Sequence, residues 1–401
     1  MTLVGLGLEA GEQLKRDALD GFTHVTGIHV DVVPAWGGSA EQLAQTIKLL
    51  ALRTNQPDIY VIDVIWPGTL AADLLDLTPY TDADSHSHLA TLLRNDTVQG
   101  RLVSLPFYLN VGMLYYRTDL LKKYGYQKPP DTWDELEGMA ARIQQGEREG
   151  GNPEFWGFLW QGAAYEGLTC NALEWQTSFG GGRVIETDGT ISVNNPGAEK
   201  ALERAQGWVG SISPSSVLTY TESDSLAIFR SGNAAFLRHW SGALAPRRSA
   251  KTPIDERIGV TLLPSGPHGR FQAMGGFHLA VSRFSQHPRE AAQLVRYLTG
   301  SEIQARRAVS AGYLPTMPRL YDDPKVVEIL PVAATLRNAG ENAWLARPST
   351  IAGRQYGAVS KTYYEAVHDI LSKRKDVRQA LLELEKALVQ LTGFRTGAPR
   401  S

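Results

Sequence analysis

The sequence predicts an α/β protein built as two lobes, and three observations carry that prediction. The chain has 401 residues, far more than one hydrophobic core usually serves. Its opening part reads strand, helix, strand at the spacing of a βαβ unit. Strand-rich sequence returns near residues 270–313 after a long α/β stretch. A chain that leaves one lobe, builds another and comes back makes a cleft, and small ligands bind at such crossovers.

The elements follow in order. The first residues read as a strand. Ser39-Ala40-Glu41-Gln42 has the form of a capping box, and Leu43, Ile47, Leu50 and Ala51 then share one face of the helix that follows. Residues 59–65 form a largely β-branched run ended by Trp66-Pro67-Gly68, as expected of a parallel strand buried on both faces. Residues 101–107 and 112–117 read as two short strands. Thr132 and Glu135 form a second capping box, with Trp133, Leu136, Ala140 and Ile143 on one helix face. Gly180-Gly181-Gly182 and Asp188-Gly189 mark turns. Residues 258–263 and 278–282 read as strands, and 288–298 as a helix ended by Gly300. Val377, Ala380, Leu381, Leu384, Leu388 and Leu391 keep a 3.6-residue period at the C-terminus.

Composition removes several function classes. Lys plus Arg total 40 against 42 acids, a net charge of −2, so no field attracts nucleic acid or an anionic membrane. Cys170 is the sole cysteine, which excludes an intrachain disulfide and a multi-thiolate metal site. No stretch reaches the 18 or more apolar residues of a membrane span. Nine Trp and fifteen Tyr supply a core with rings left over for a binding site. The N-terminus lacks a basic region, a long apolar run and a small-residue cleavage site. Read literally that means a cytoplasmic protein; the early strand, with the resemblance below, favours a secretory signal lost ahead of Met1.

Seven segments stand out along the chain: PDIYVIDVIWPG (57–68), LPFYLNVGMLYYRTDLLKKYGYQKPPDTWDEL (105–136), FWGFLWQGAAYEGLTCNALEWQTSFGG (155–181), TYTE (219–222), GNAAFLRHW (232–240), GGFHLAVS (275–282) and LPTMPRLYDDP (314–324). Together they resemble family 1 ABC-transporter solute-binding proteins, and within them the trehalose/maltose-binding branch. The resemblance implies a two-lobed periplasmic-binding-protein fold of the maltose-binding-protein-like class, with a ligand cleft between lobes joined by a multi-strand hinge. Its expected lobes are 1–111 with 271–313, and 112–270 with 314–401. It also implies a monomer, periplasmic or envelope-anchored, that captures an α-linked glucose disaccharide (trehalose, maltose, sucrose or a sucrose isomer). The sugar passes to the permease subunits of an ABC importer, with no cofactor, metal or catalysis.

A sugar offers paired hydroxyls and flat C–H faces, so carboxylates, carboxamides, Arg and aromatic rings are its natural partners. Asp63 is a carboxylate inside an apolar strand, costly to bury without partners, and matches an acidic ligand residue of the branch; the bland reading is an Asp satisfied by backbone amides. Tyr108 and Asn110 lie at the first hinge crossing. Asn110 stands where a well-known pattern of the branch has Asp, and Asn donates as well as accepts. Glu9 and Glu12 follow the first strand, either as sugar ligands or as helix-start acids. Trp240 is the leading stacking ring, with a core indole as the bland alternative. Glu222 is a second-lobe acceptor or a helix-start acid. Gly276 lets the backbone approach a ligand, and Phe277 stacks where relatives often carry Trp. Arg347 matches a sugar-binding Arg of the branch; the alternative is a surface ion pair worth little. The branch's Arg on the 39–53 helix is missing, with Leu43 or Ala44 in its place, and Trp36 or Gln42 is the expected substitute. Trp160, Gln161, Tyr165 and Glu166 read as scaffold, with Tyr165 or Glu166 at the rim.

Two other functions fit parts of this pattern. A glycoside hydrolase would use a carboxylate pair such as Asp63 with Glu12 or Glu222, but no nucleophile elbow, H-E-x-x-H, P-loop or dinucleotide fingerprint accompanies it. A sugar sensor or adaptor would share the fold and differ only in its partner.

Overall fold

The computed structural model describes residues 1–35, 39–243, 254–330, 332–340 and 343–400. Contacts divide the chain into two compact units. Among the described residues, the first holds 1–110 and 274–340, and the second 111–243, 254–273 and 343–400. Nine strands carry the argument: β1 (Thr2–Leu6), β2 (Asp31–Pro34), β3 (Ile59–Asp63), β4 (Leu105–Arg117), β5 (Trp156–Leu159), β6 (Ala234–Trp240), β7 (Ile258–Leu262), β8 (Gln272–Val281) and β9 (Trp344–Leu345).

In the first unit β1 pairs in parallel with both β2 and β3. β3 pairs antiparallel with β8, Asp63 opposite Phe277 and Ile59 opposite Val281. β3 is therefore flanked by one parallel and one antiparallel neighbour. Four of its five residues are buried, which explains its apolar run. The helix Ser39–Ala51 covers this sheet with Gln42, Thr46 and Leu50 buried, not with the expected Leu43, Ile47 and Ala51; Ile47 is 43% exposed. The reason is a polar anchor: the Gln42 amide donates to the carbonyls of Gly5 and Val61 at 3.1 and 3.2 Å, which turns the helix so that Gln42 faces inward.

The segment 314–340, expected in the second lobe, belongs to the first unit. Leu109 N–H donates to Leu314 O at 3.0 Å, and Leu89 N–H to Thr316 O at 2.8 Å. Thr316 N–H also donates to the Gln304 side chain at 2.7 Å. These bonds bind the segment to strand and helix backbone, so the second return to the other unit falls after residue 340.

In the second unit β4 pairs antiparallel with β6 and with β7, and β5 lies parallel to β6. β4 is one thirteen-residue strand rather than two short ones, because Val111 stays bonded to Ser241 in both directions, at 2.9 and 3.2 Å. The helix Trp133–Glu149 starts with the expected capping box: Glu135 N–H donates to Thr132 Oγ1 at 3.2 Å and Thr132 N–H to Glu135 Oε2 at 3.4 Å. The core beneath is built on indoles. Trp208 lies 5.5 Å from Trp133 and 5.3 Å from Trp175, and Trp175 meets Trp160 edge-on at 5.0 Å, the geometry favoured by ring quadrupoles. Trp160 and Gln161 are scaffold: both are fully buried, and Gln161 donates to Ser225 Oγ and Arg238 O at 2.9 Å.

Candidate ligand-binding site

In the first unit five of the sequence-predicted residues gather where β3, β4 and β8 approach. Asp63 closes β3, half-buried, and its Oδ1 accepts from Ile65 N–H at 3.2 Å. Its register partner is Phe277. The Phe277 ring is 5.5 Å from Tyr108, which is 4.5 Å from Tyr313. Gly276 sits at φ +119, and an added Cβ there would collide with the carbonyl of Tyr108 and lie 3.1 Å from the Asn110 nitrogen. Only glycine fits both the backbone and the space. Its carbonyl accepts from Val64 N–H at 3.1 Å, which ties it to the residue after Asp63.

Arg307, which sequence reasoning missed, braces this cluster. Its guanidinium lies 3.7 Å from the Phe107 ring centroid, 4.5 Å from Tyr313 and 5.7 Å from Tyr108, and Nη1 donates to Phe107 O at 3.3 Å. Buried and planar, it stacks as a fourth member of an aromatic group. Glu12 is exposed on the helix Leu8–Leu14. The Glu9 side chain and Trp36 lie outside the described residues. Gln42 is committed to its two carbonyls, so it does not replace the missing helix Arg.

In the second unit Trp240 and Glu222 come together. Trp240 ends β6 half-buried, and its Nε1–H donates to Glu222 Oε1 at 3.1 Å. Tyr165 OH donates to the other oxygen at 2.5 Å. Burial opposes ionisation of Glu222, but these two donors hold its carboxyl below the usual range. His239 completes the corner. Trp240 N–H donates to Nδ1 at 2.9 Å, so the imidazole is neutral with its proton on Nε2, which donates to Glu222 O at 3.2 Å. Burial, with the Arg238 charge beside it, outweighs the opposing pull of Glu222 and brings the His239 pKa down to about 4.

Arg347 is buried rather than part of a surface ion pair. Its Nη1 donates to Glu166 Oε1 at 2.7 Å. Glu166 also accepts from Tyr356 OH and Ser360 Oγ, each at 2.5 Å. The neighbouring residues Tyr165 and Glu166, at the start of the helix Glu166–Ser178, thus hold the two principal second-unit candidates, one through Glu222 and one directly. Both side chains are held by hydrogen bonds. The sequence marked them only by membership of the 155–181 block.

These two clusters belong to a chain whose residues 17–331 match the family of bacterial extracellular solute-binding proteins. The chain belongs to that family. This solute-binding protein is 43% identical over 392 residues to a probable ABC transporter-binding protein of Deinococcus radiodurans, covering 97% of this chain and 92% of that one. It is similar to the maltose-bound structure of T. maritima MalE3, at 34% identity and a TM-score of 0.86 over 98% of this chain and 99% of the other. The GacH receptor of Streptomyces glaucescens, 20% identical, shares the fold at a TM-score of 0.83 with 98% of each chain covered. The fold is therefore the two-lobed α/β periplasmic-binding-protein fold. The protein acts outside the cytoplasm, in the periplasm or at the envelope, as a binding component of ABC import and not as an enzyme. Among the described residues no helix is long and apolar enough to cross a membrane, and no group of three His, Cys, Asp or Glu could hold a metal.

Proposed function

We propose that this solute-binding protein captures an α-linked glucose disaccharide (trehalose, maltose, sucrose or a sucrose isomer) as a monomer and delivers it to the permease of an ABC importer. The observation that carries the reading is the Trp240 corner. A half-buried indole is fixed by a hydrogen bond to an ionised carboxylate, in the same unit as a buried Arg, and this is the equipment that reads a flat sugar face with its hydroxyls. The 34% identity to a chain solved with maltose supports the same class.

The candidate contacts are Asp63, Asn110, Tyr108 and Phe277 in the first unit and Trp240, Glu222 and Arg347 in the second. Calorimetry against trehalose, maltose and sucrose tests it. Asp63→Ala in one unit and Trp240→Ala in the other should each weaken the same sugar by about 1–3 kcal/mol, roughly 10–100-fold, with unliganded melting nearly unchanged. Absence of binding to every α-disaccharide at millimolar concentration would overturn the proposal, and unchanged affinity in both variants would show the site is elsewhere.

A further inference from the structure

Behind the Trp240 ring lies an ion pair that ligand recognition does not require at first sight. Arg238 and Glu174 are both 0% exposed. Arg238 Nε and Nη2 donate to Glu174 Oε2 and Oε1 at 2.9 and 2.6 Å, a bidentate fork. Arg238 Nη1 reaches Gln161 Oε1 at 3.3 Å. Two residues along the same face of β6, Trp240 has the Arg238 guanidinium over its ring at 4.5 Å from the centroid. The same Glu174 oxygen accepts from Ala273 N–H at 3.0 Å, and an added Cβ on Gly112 would strike it.

We infer that Glu174 and Arg238 are positioning residues for ligand stacking on Trp240. A buried ion pair is a poor way to gain stability, since apolar residues of similar volume often do as well. Its geometry here does something an apolar pair would not. The planar guanidinium covers one face of the indole and sets the plane of the ring, while Glu222 holds its Nε1–H edge. In this role the opposite face is the one on which a sugar would stack. Glu174 fixes Arg238 in turn, and its helix, Glu166–Ser178, also carries the residue that holds Arg347. The single helix thereby sets the ring and the Arg in one frame, which spares the ligand the cost of ordering them.

The binding arm of the test rests on the proposed sugar class; a second arm does not. The variant Glu174→Met with Arg238→Met keeps volume and removes both charges together, and Arg238→Lys, which keeps charge but loses the plane and the fork, serves where the double variant fails to fold. With the sugar bound by the wild-type chain, either change should weaken affinity about tenfold or more. In a Trp240→Ala background the same changes should cause little further loss, because they act through the ring. Independently of sugar, solvent exchange of the Trp240 Nε1–H, followed by NMR on indole-¹⁵N protein, should speed up at least tenfold. Losses that add to that of Trp240→Ala, or an unchanged exchange rate, would overturn the inference. If the wild-type chain binds no disaccharide, the functional proposal falls and the exchange arm alone decides the role of the pair.

Discussion

Acid should loosen the second unit through His239. Its imidazole is locked neutral, Nδ1 taken by the Trp240 N–H and Nε2–H given to the Glu222 carbonyl, with a pKa of about 4 against an unfolded value near 6.5. Above pH 6.5 both folded and unfolded states are neutral at this residue and stability is unaffected. Below it the unfolded chain takes up a proton that the folded unit refuses, so stability falls until pH reaches about 4. At pH 5 the difference is about 1.5 pH units, or about 2 kcal/mol. For a unit of this size that lowers Tm by roughly 4–8 °C. Carboxylates held below their usual range, such as Asp119 and Asp131, lose their contribution only as pH drops through the carboxylate range, so they add little between pH 7 and 5. His239→Gln isolates the effect, since a carboxamide can accept from Trp240 and donate to Glu222 without titrating. Calorimetry of both proteins at pH 7 and pH 5 should show the wild type losing about 2 kcal/mol more than the variant. An equal fall in both would refute the assignment of the locked tautomer.

Other perturbations test other parts. Gly276→Ala forces a side chain to φ +119 and into the Tyr108 carbonyl, so it should cost on the order of 1–3 kcal/mol or more in thermal melts and weaken ligand binding with it. Thr132→Ala removes the capping box of the helix Trp133–Glu149 and should cost about 0.5–2 kcal/mol while leaving affinity unchanged, as read by melting and calorimetry side by side. Arg307→Ala strips the cation from Phe107, Tyr108 and Tyr313. Urea titration should show destabilisation of roughly 2–4 kcal/mol, the range for buried packing losses, and Arg307→Met should recover part of it.

The fold was legible wherever local chemistry and burial agree. The Thr132 capping box and its apolar face, the 59–65 run and the 3.6-residue period of the C-terminal helix Val377–Thr392 each announce a single structure, because propensity, periodicity and burial point the same way. Reading failed where a polar group was turned inward for tertiary reasons. Periodicity put Leu43 and Ile47 inside; the two carbonyls waiting at Gly5 and Val61 put Gln42 there instead, and no count along the helix contains that information. The candidate site divided along the same line. Asp63 stood out as a carboxylate in an apolar strand, and Gly276 as glycine in another. Arg238, Glu174 and Arg307 did not stand out, because charged residues in a sequence are read as solvated until their partners are seen. The one available signal was Arg238 within Ala234–Trp240, a strand otherwise buried almost throughout.

Cys170 lies sealed within the helix Glu166–Ser178, 0% exposed, and burial pushes its thiol up to about 12. A thiol so protected supplies almost no thiolate at neutral pH. A cysteine introduced at any exposed position would therefore be the only one to take up a maleimide dye, with the native residue left in place. This chain is ready for site-specific labelling, and a fluorophore attached near Trp240 would turn ligand capture at the proposed site into an optical signal.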